Sequence, residues 1–352
     1  MPLLLDGRST PTHWTNLTNA NWRIDEDSTS GAESLRIALV NNMPDGAIED
    51  TEAQFFGLLD SASLDLPISV ELFSLPKICR GEKAQQHLDT YYKSTRALIE
   101  EHFDGAIITG TEPKQASLQQ EAYWDVLTDV FKWSEENTFS TVLSCLAAHA
   151  GVLFSDGVGR RRLSEKRFGV FEHQVLLNHP LTFGVPDPTC IPHSRWNELD
   201  ENTLQAAGYS VLTKSPEAGV DLFVKQKKQS LFVHFQGHPE YSGKTPFLEY
   251  RRDVRRFLRK ERETYPNMPK SYFDGSGTTL LKAFEQKAVS ERNEQLMQEF
   301  PEFNGSLQPR WKRGSVAVYR NWLEYLRERK AQQPRAQAHA TPSLTRVAQL
   351  GR

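Results

Sequence analysis

Cysteine is scarce in this chain. Of its 352 residues only Cys79, Cys145 and Cys190 carry a thiol, an odd number with no CxxC pair, which speaks against a disulfide framework and against a zinc site of the usual spacing. Long apolar runs are missing too. Nothing approaches the ~20 residues of a membrane span, and the opening MPLLLDGR holds only three leucines, short of a signal-peptide core. Charge is balanced, with 42 basic against 45 acidic side chains and a formal net charge of −3, so there is no global attraction for nucleic acid or anionic lipid. No internal repeat is visible. These absences lead to the expectation of a soluble, cytoplasmic protein in a reducing compartment, with no nucleic-acid and no membrane partner.

What is present is a chain long enough for a large core, organised by alternation. Residues 1–34 are polar and aperiodic and are read as a loosely ordered arm. From residue 35 to 265, strand-like and helix-like segments alternate. SLRIALVNNMP carries a buried-strand run from Ile37 to Val40, and EDTEAQFFGLLDSA reads as a helix with acidic residues in its first turn. ISVELFSL alternates like a strand, AQQHLDTYYKSTRALIEEH is helical, and FDGAIITGTEP is a short β-rich run closed by Gly110 and Pro113. EAYWDVLTDVFKWSEEN spaces Trp124, Leu127, Val130 and Phe131 for helical core packing. Such alternation predicts an α/β fold with a mostly parallel central sheet flanked by helices. Residues 266–330 read as a helical extension packed on that domain and residues 331–352 as a disordered tail.

Two stretches carry chemistry. LFVHFQGHPEYSG ends an apolar strand with a histidine and, two residues later, a glutamate; a strand would put His238 and Glu240 on one face, where a carboxylate can fix the tautomer of an imidazole. STVLSCLAAHAG supplies a nucleophile. Cys145 falls where a buried strand meets a helix of small residues, and a tight strand-to-helix turn projects a side chain at the carboxyl edge of the sheet beside the positive helix terminus. A core thiol is the competing reading of Cys145, and a hydrogen-bonded core or surface group that of His238. Taken together, Cys, His and Glu describe nucleophilic catalysis through a covalent intermediate. Cys79 and Cys190 lack such a setting and are assigned to structure.

SCLAAHAG, KRFGVFEH, IPHSRWNEL, QGHPEYS and EYRRDVRRFL, in this order, resemble the homoserine O-acyltransferase family built on a class I glutamine amidotransferase-like, flavodoxin-like fold; ALVNNMPDGAIEDTEAQF, FDGAIITG, EAYW and PRWKRGSVAVYRNWLEYL are similar too, so the resemblance covers roughly residues 35–328. It implies that Cys145 takes an acyl group from acyl-CoA, that His238 held by Glu240 is the base, that Arg252 holds the α-carboxylate of L-homoserine, and that Lys166 and Ser194 lie near the acyl group. No cofactor is implied, acyl-CoA being a co-substrate, and a homodimer is left open. The chain departs from the family after Asn-x-Met-Pro, where Asp45 and Gly46 replace a pair of lysines, and in the segment TGTEPK.

In the family a position shortly after the Thr-Gly turn separates acetyl from succinyl donors. Counted from Cys145 it is Lys114, whose ammonium would attract a succinyl carboxylate; Glu112, if the turn is remodelled, would reverse the preference. The expectation is succinyl transfer. L-serine as acceptor, a glutamine amidotransferase-like amidase, and a binding protein without turnover stay open as alternatives.

Overall fold

The computed structural model describes residues 34–303 and 309–332 in full and two short segments, 3–6 and 23–25, as backbone strands. In chain order the strands are β1 (Leu3–Asp6), β2 (Arg23–Asp25), β3 (Leu35–Val40), β4 (Ile68–Phe73), β5 (Gly105–Ile108), β6 (Ser140–Ser144), β7 (Arg161–Val175), β8 (Thr189–Glu198), β9 (Ser210–Val211), β10 (Thr213–Ser215), β11 (Gly219–Val220), β12 (Leu222–Lys227) and β13 (Ser230–Phe235). The helices are α1 (Ile48–Ser63), α2 (Glu82–Tyr91), α3 (Thr95–Ile99), α4 (Trp124–Asn137), α5 (Leu146–Asp156), α6 (Glu201–Ala206), α7 (Thr245–Leu258), α8 (Gly275–Glu291) and α9 (Lys312–Gln332).

Nine strands form the central sheet in the order β2-β1-β4-β3-β5-β6-β13-β12-β9. From β2 to β13 every pairing is parallel, and β12 and β9 close the far edge antiparallel. The period of two in each strand sorts side chains into two layers. Ile37, Leu39, Ile107 and Val142 go to one face, against α1 and α9; Ala38, Val40, Ile108 and Leu143 go to the other, against α4 and α5. This is the mostly parallel, helix-flanked sheet expected from the alternation of segments. It also explains the unbroken apolar runs Ile37 to Val40 in β3 and Ala106 to Ile108 in β5, since strands buried on both faces need no polar alternation.

Three features depart from the sequence reading. Segment 84–102 is two helices, because Lys93 donates its backbone N–H to Leu72 O and so joins the sheet edge, and Ser94 then caps α3 by accepting from Ala97 N–H. The arm contributes β1 and β2 to the sheet, where β1 adds in parallel to β4; the remainder of residues 1–33 and the tail from 333 onward lie outside the described residues. A second, four-stranded antiparallel sheet, β11-β10-β7-β8, was not anticipated. Its β7–β8 ladder breaks register between Arg162 and Arg167, and such an irregularity re-aims side chains beside a site. Lys166, Ser194 and Trp196 all reach the same cleft from this region.

Helix α9 belongs to the core. Trp322 is 1% exposed, lies with Leu326 against Gly105, and donates Nε1–H to Ser140 Oγ at 2.9 Å. Replacing it, Trp322→Ala, is expected to cost about 3–5 kcal/mol, measured as a lowered urea midpoint at unchanged slope. A loss under 1 kcal/mol would mean that α9 is a loosely attached appendage.

Candidate active site

Cys145 occupies the single residue between β6 and α5. Its backbone is left-handed, φ +51° and ψ −107°, a strained state for a non-glycine residue and the geometry of a nucleophile elbow. The turn is held because Cys145 N–H donates to Phe235 O, the last carbonyl of β13, at 2.8 Å. Beside it, Gly110 leaves the first turn of α5 open: a Cβ there would stand 2.4 Å from Leu146 Cβ and 3.1 Å from Leu146 N. Free N–H groups at that helix terminus are the donors an oxyanion requires.

The same β13 that anchors Cys145 leads into the histidine. The strand stops at Phe235, and residues 236–240 form a turn, so the pairing of His238 with Glu240 arises from a turn rather than from the strand alternation the sequence implied. His238 Nδ1 and Glu240 Oε1 are 2.7 Å apart, which leaves Nε2 for the thiol. The turn is clamped from two sides: His238 N–H donates to Pro192 O at 2.8 Å and Gly237 N–H to Asp221 Oδ1 at 2.7 Å. A Cβ on Gly237 would meet Ile191, Asp221 and Pro192 O within 2.8 Å. Tyr241 stacks on the imidazole, ring centroids 4.2 Å apart.

Burial works against a charge on His238, yet Cys145 and Glu240, each a Coulombic and hydrogen-bond partner, outweigh it and hold its pKa well above the usual histidine value. Buried histidines without such partners go the other way. His149 and His234 are pushed down to about 3 and His173 to about 4, in each case chiefly by burial.

Cys145, His238 and Glu240 open into a cleft of about 380 Å³ that also meets Lys166, Ser194 and Arg252. Arg252 is half exposed and grips Asp253 through Nε and an η nitrogen at 3.1 and 3.0 Å. Lys166 stands 3.3 Å from both Glu249 and Asp253. Glu249, which the sequence reading missed, ties the wall together: it accepts from Ser194 Oγ–H, from Tyr241 O–H at 2.5 Å and from Lys166. Burial alone would raise its pKa, but Lys166, Arg252 and these hydrogen bonds hold it below the usual carboxylate value. The legible signal was its position three residues before Arg252, one helical turn away on the same face.

Lys114 does not reach the cleft. Its backbone N–H and that of Gln115 both donate to Glu121 Oε1, at 2.6 and 2.7 Å, and this turns the loop so that the Lys114 side chain faces solvent. Thr111 and Glu112 line the cleft instead. Lys114 therefore places no charge in the cleft to attract a succinyl carboxylate, contrary to the expectation from the sequence.

Elbow, sheet order and cleft define an α/β protein whose candidate nucleophile lies at the carboxyl end of a parallel strand, where open sheets of this kind bind their ligands. A family model described as homoserine O-succinyltransferase matches residues 17–333, and the chain belongs to that family. Two homoserine O-succinyltransferases, from Methylorubrum extorquens and Rhodopseudomonas palustris, are each 41% identical to it over 300 and 301 residues, covering 84% of this chain and 88% and 90% of those proteins. Among solved structures, a glutamine amidotransferase of Methylobacillus flagellatus is 12% identical at a TM-score of 0.46 over 88% of this chain and 99% of that one. One from Thermotoga maritima is 12% identical at 0.43 over 84% and 98%.

A histidine-selective ¹⁵N titration is expected to show His238 titrating above the ordinary histidine range, while His149, His173 and His234 stay neutral down to about pH 5. Because the unfolded chain takes up protons on those three below about pH 6.5, they should also draw stability down as the pH falls towards 4. An imidazole at position 238 titrating at the ordinary histidine value would contradict the ion-pair geometry.

Proposed function

We propose that the protein transfers a succinyl group from succinyl-CoA to the side-chain hydroxyl of L-homoserine through a thioester on Cys145. The observation that carries this reading is the placement of the Cys145–His238–Glu240 constellation in one cleft with Arg252: a nucleophile and base next to a guanidinium whose fork suits an amino-acid carboxylate. The succinyl donor and the homoserine acceptor rest on the names of the relatives. Arg256 and Arg262 line the same cleft as Arg252, which supplies cations for a second carboxylate.

The reaction follows from the residues. The Cys145 thiolate attacks the thioester carbonyl, whose oxygen takes the negative charge beside the N–H groups of the elbow. As the C–S bond to CoA breaks, His238 gives its proton to the departing CoA thiolate. The neutral imidazole then removes the proton from the homoserine hydroxyl, and the oxygen attacks the Cys145 thioester. Collapse releases O-succinylhomoserine and restores the thiolate–imidazolium pair. One base serves both halves, with Glu240 holding it in place.

Incubating the protein with succinyl-CoA alone should add one succinyl mass to the peptide that contains Cys145, and Cys145→Ser should abolish transfer. No adduct, together with an active Ser variant, would overturn the covalent route. Arg252→Ala should raise the homoserine KM about ten- to hundredfold while Cys145 is acylated at an unchanged rate. Equal damage to both half-reactions would remove Arg252 from acceptor binding.

A further inference from the structure

Next to the catalytic turn, Glu240 and Ser315 line a second cavity of about 520 Å³ between α1, residues 239–243 and the start of α9, which shares Gln54, Glu240 and Tyr241 with the cleft. Four polar atoms in this region are buried and have no hydrogen-bond partner among the described residues: Glu240 Oε2, Asp221 Oδ2, Ser315 Oγ and Tyr319 Oη. They are two acceptors and two donors. The other oxygen of each carboxylate is already committed, Glu240 Oε1 to His238 and Asp221 Oδ1 to Gly237 N–H. Ser315 and Tyr319 are each 1% exposed and lie four residues apart on α9, hence on one helix face. The Tyr319 ring stacks on Phe235, centroids 6.0 Å apart, three residues before His238. Its phenol keeps its proton strongly, through burial first and then through the nearby charges of Glu240 and Asp221.

A buried carboxylate oxygen with no donor costs on the order of 1–3 kcal/mol or more, and donors of the right type stand in the same region. We propose that the Tyr319 and Ser315 hydroxyls donate to Glu240 Oε2 and Asp221 Oδ2 through one bridging water, and that both are positioning residues for the Glu240–His238 pair. Four convergent polar groups are enough to hold such a water. Helix α9, the last among the described residues, then completes the orientation of the catalytic carboxylate. The groups facing Glu240 are otherwise His238, Cys145, Tyr241 and Asp221, with Lys312 and Asp60 on the cavity wall. The inference rests on the triad reading given above.

The test is the Tyr319→Phe and Ser315→Ala pair, made singly and together, since each removes one hydroxyl and keeps the shape. Without these donors the carboxylates bind protons at higher pH, so the acid limb of the kcat/KM profile should move up by about one pH unit in the double variant. With it, kcat should fall about tenfold while KM for succinyl-CoA and homoserine stays within twofold. A helix-packing role alone would lower the Tm without moving the acid limb, and that result overturns the proposal, as does a double variant with unchanged kcat and profile. Should the double variant fail to fold, each single variant is expected to move the limb in the same direction by a smaller step, and two unmoved limbs overturn it. Cys145→Ser is the control that separates the two readings. If it stays active, the triad itself is wrong; if it is dead and the acid limb of the hydroxyl variants is unmoved, only the role of α9 falls.

Discussion

One hydrogen bond sets the geometry on which the candidate site depends, that from Cys145 N–H to Phe235 O. It extends the parallel ladder of β6 and β13, in which Ser144 stands opposite Phe235, by one residue beyond the sheet. The nucleophile leaves the end of one strand and the base leaves the end of its neighbour. Neighbouring strands lie about 4.8 Å apart, so the separation of thiol and imidazole is fixed by sheet register before any side chain is chosen. A one-residue slip of β13 would invert every side chain on that strand and carry the His238 turn away from the elbow. All five residues from Leu231 to Phe235 are buried, so a slip would have to repack both faces at once and take His234 from its packing against Phe223 and Tyr209.

Much of this was legible because the relevant signals are local. The buried run ending at Ser144, the small residues of α5 and the Gly-His-Pro-Glu segment each announce their own backbone. The pairing of His238 with Glu240 was legible too, although the turn that produces it was not: residues 236–240 take their shape from Asp221, between β11 and β12, and from Pro192 of β8, whose carboxylate and carbonyl hold them. The place of Lys114 was illegible for the same reason. A count from Cys145 gives a position in the chain, whereas the direction of that side chain is decided by Glu121, seven residues on. Nor did the sequence disclose the β7–β8 hairpin as a separate sheet, because its motifs carry the polar and charged residues of the site in place of clean alternation.

The walls of the cleft show how charge is kept usable. Lys166, Glu249, Asp253 and Arg252 form one connected set in which every charge has a partner. Unpaired ions at such depth would neutralise themselves by shifting their pKa. Paired ones keep their charge and stay in fixed positions, as preorganised recognition requires. Arg252, half exposed at the rim of this set, is the member with surface left to offer a ligand.

The position of α9 in the chain bears on how the molecule comes into being. Trp322 bonds Ser140, 182 residues earlier, and Lys330 reaches Asp104 and the carbonyl of Ser34, 226 and 296 residues earlier. During synthesis the parallel sheet therefore waits, one apolar face covered only in part by α1, until α9 has left the ribosome. Contacts of such long range make assembly slow and leave the nascent chain exposed to aggregation. Demand for holding chaperones should accordingly be set by how long that last helix takes to arrive.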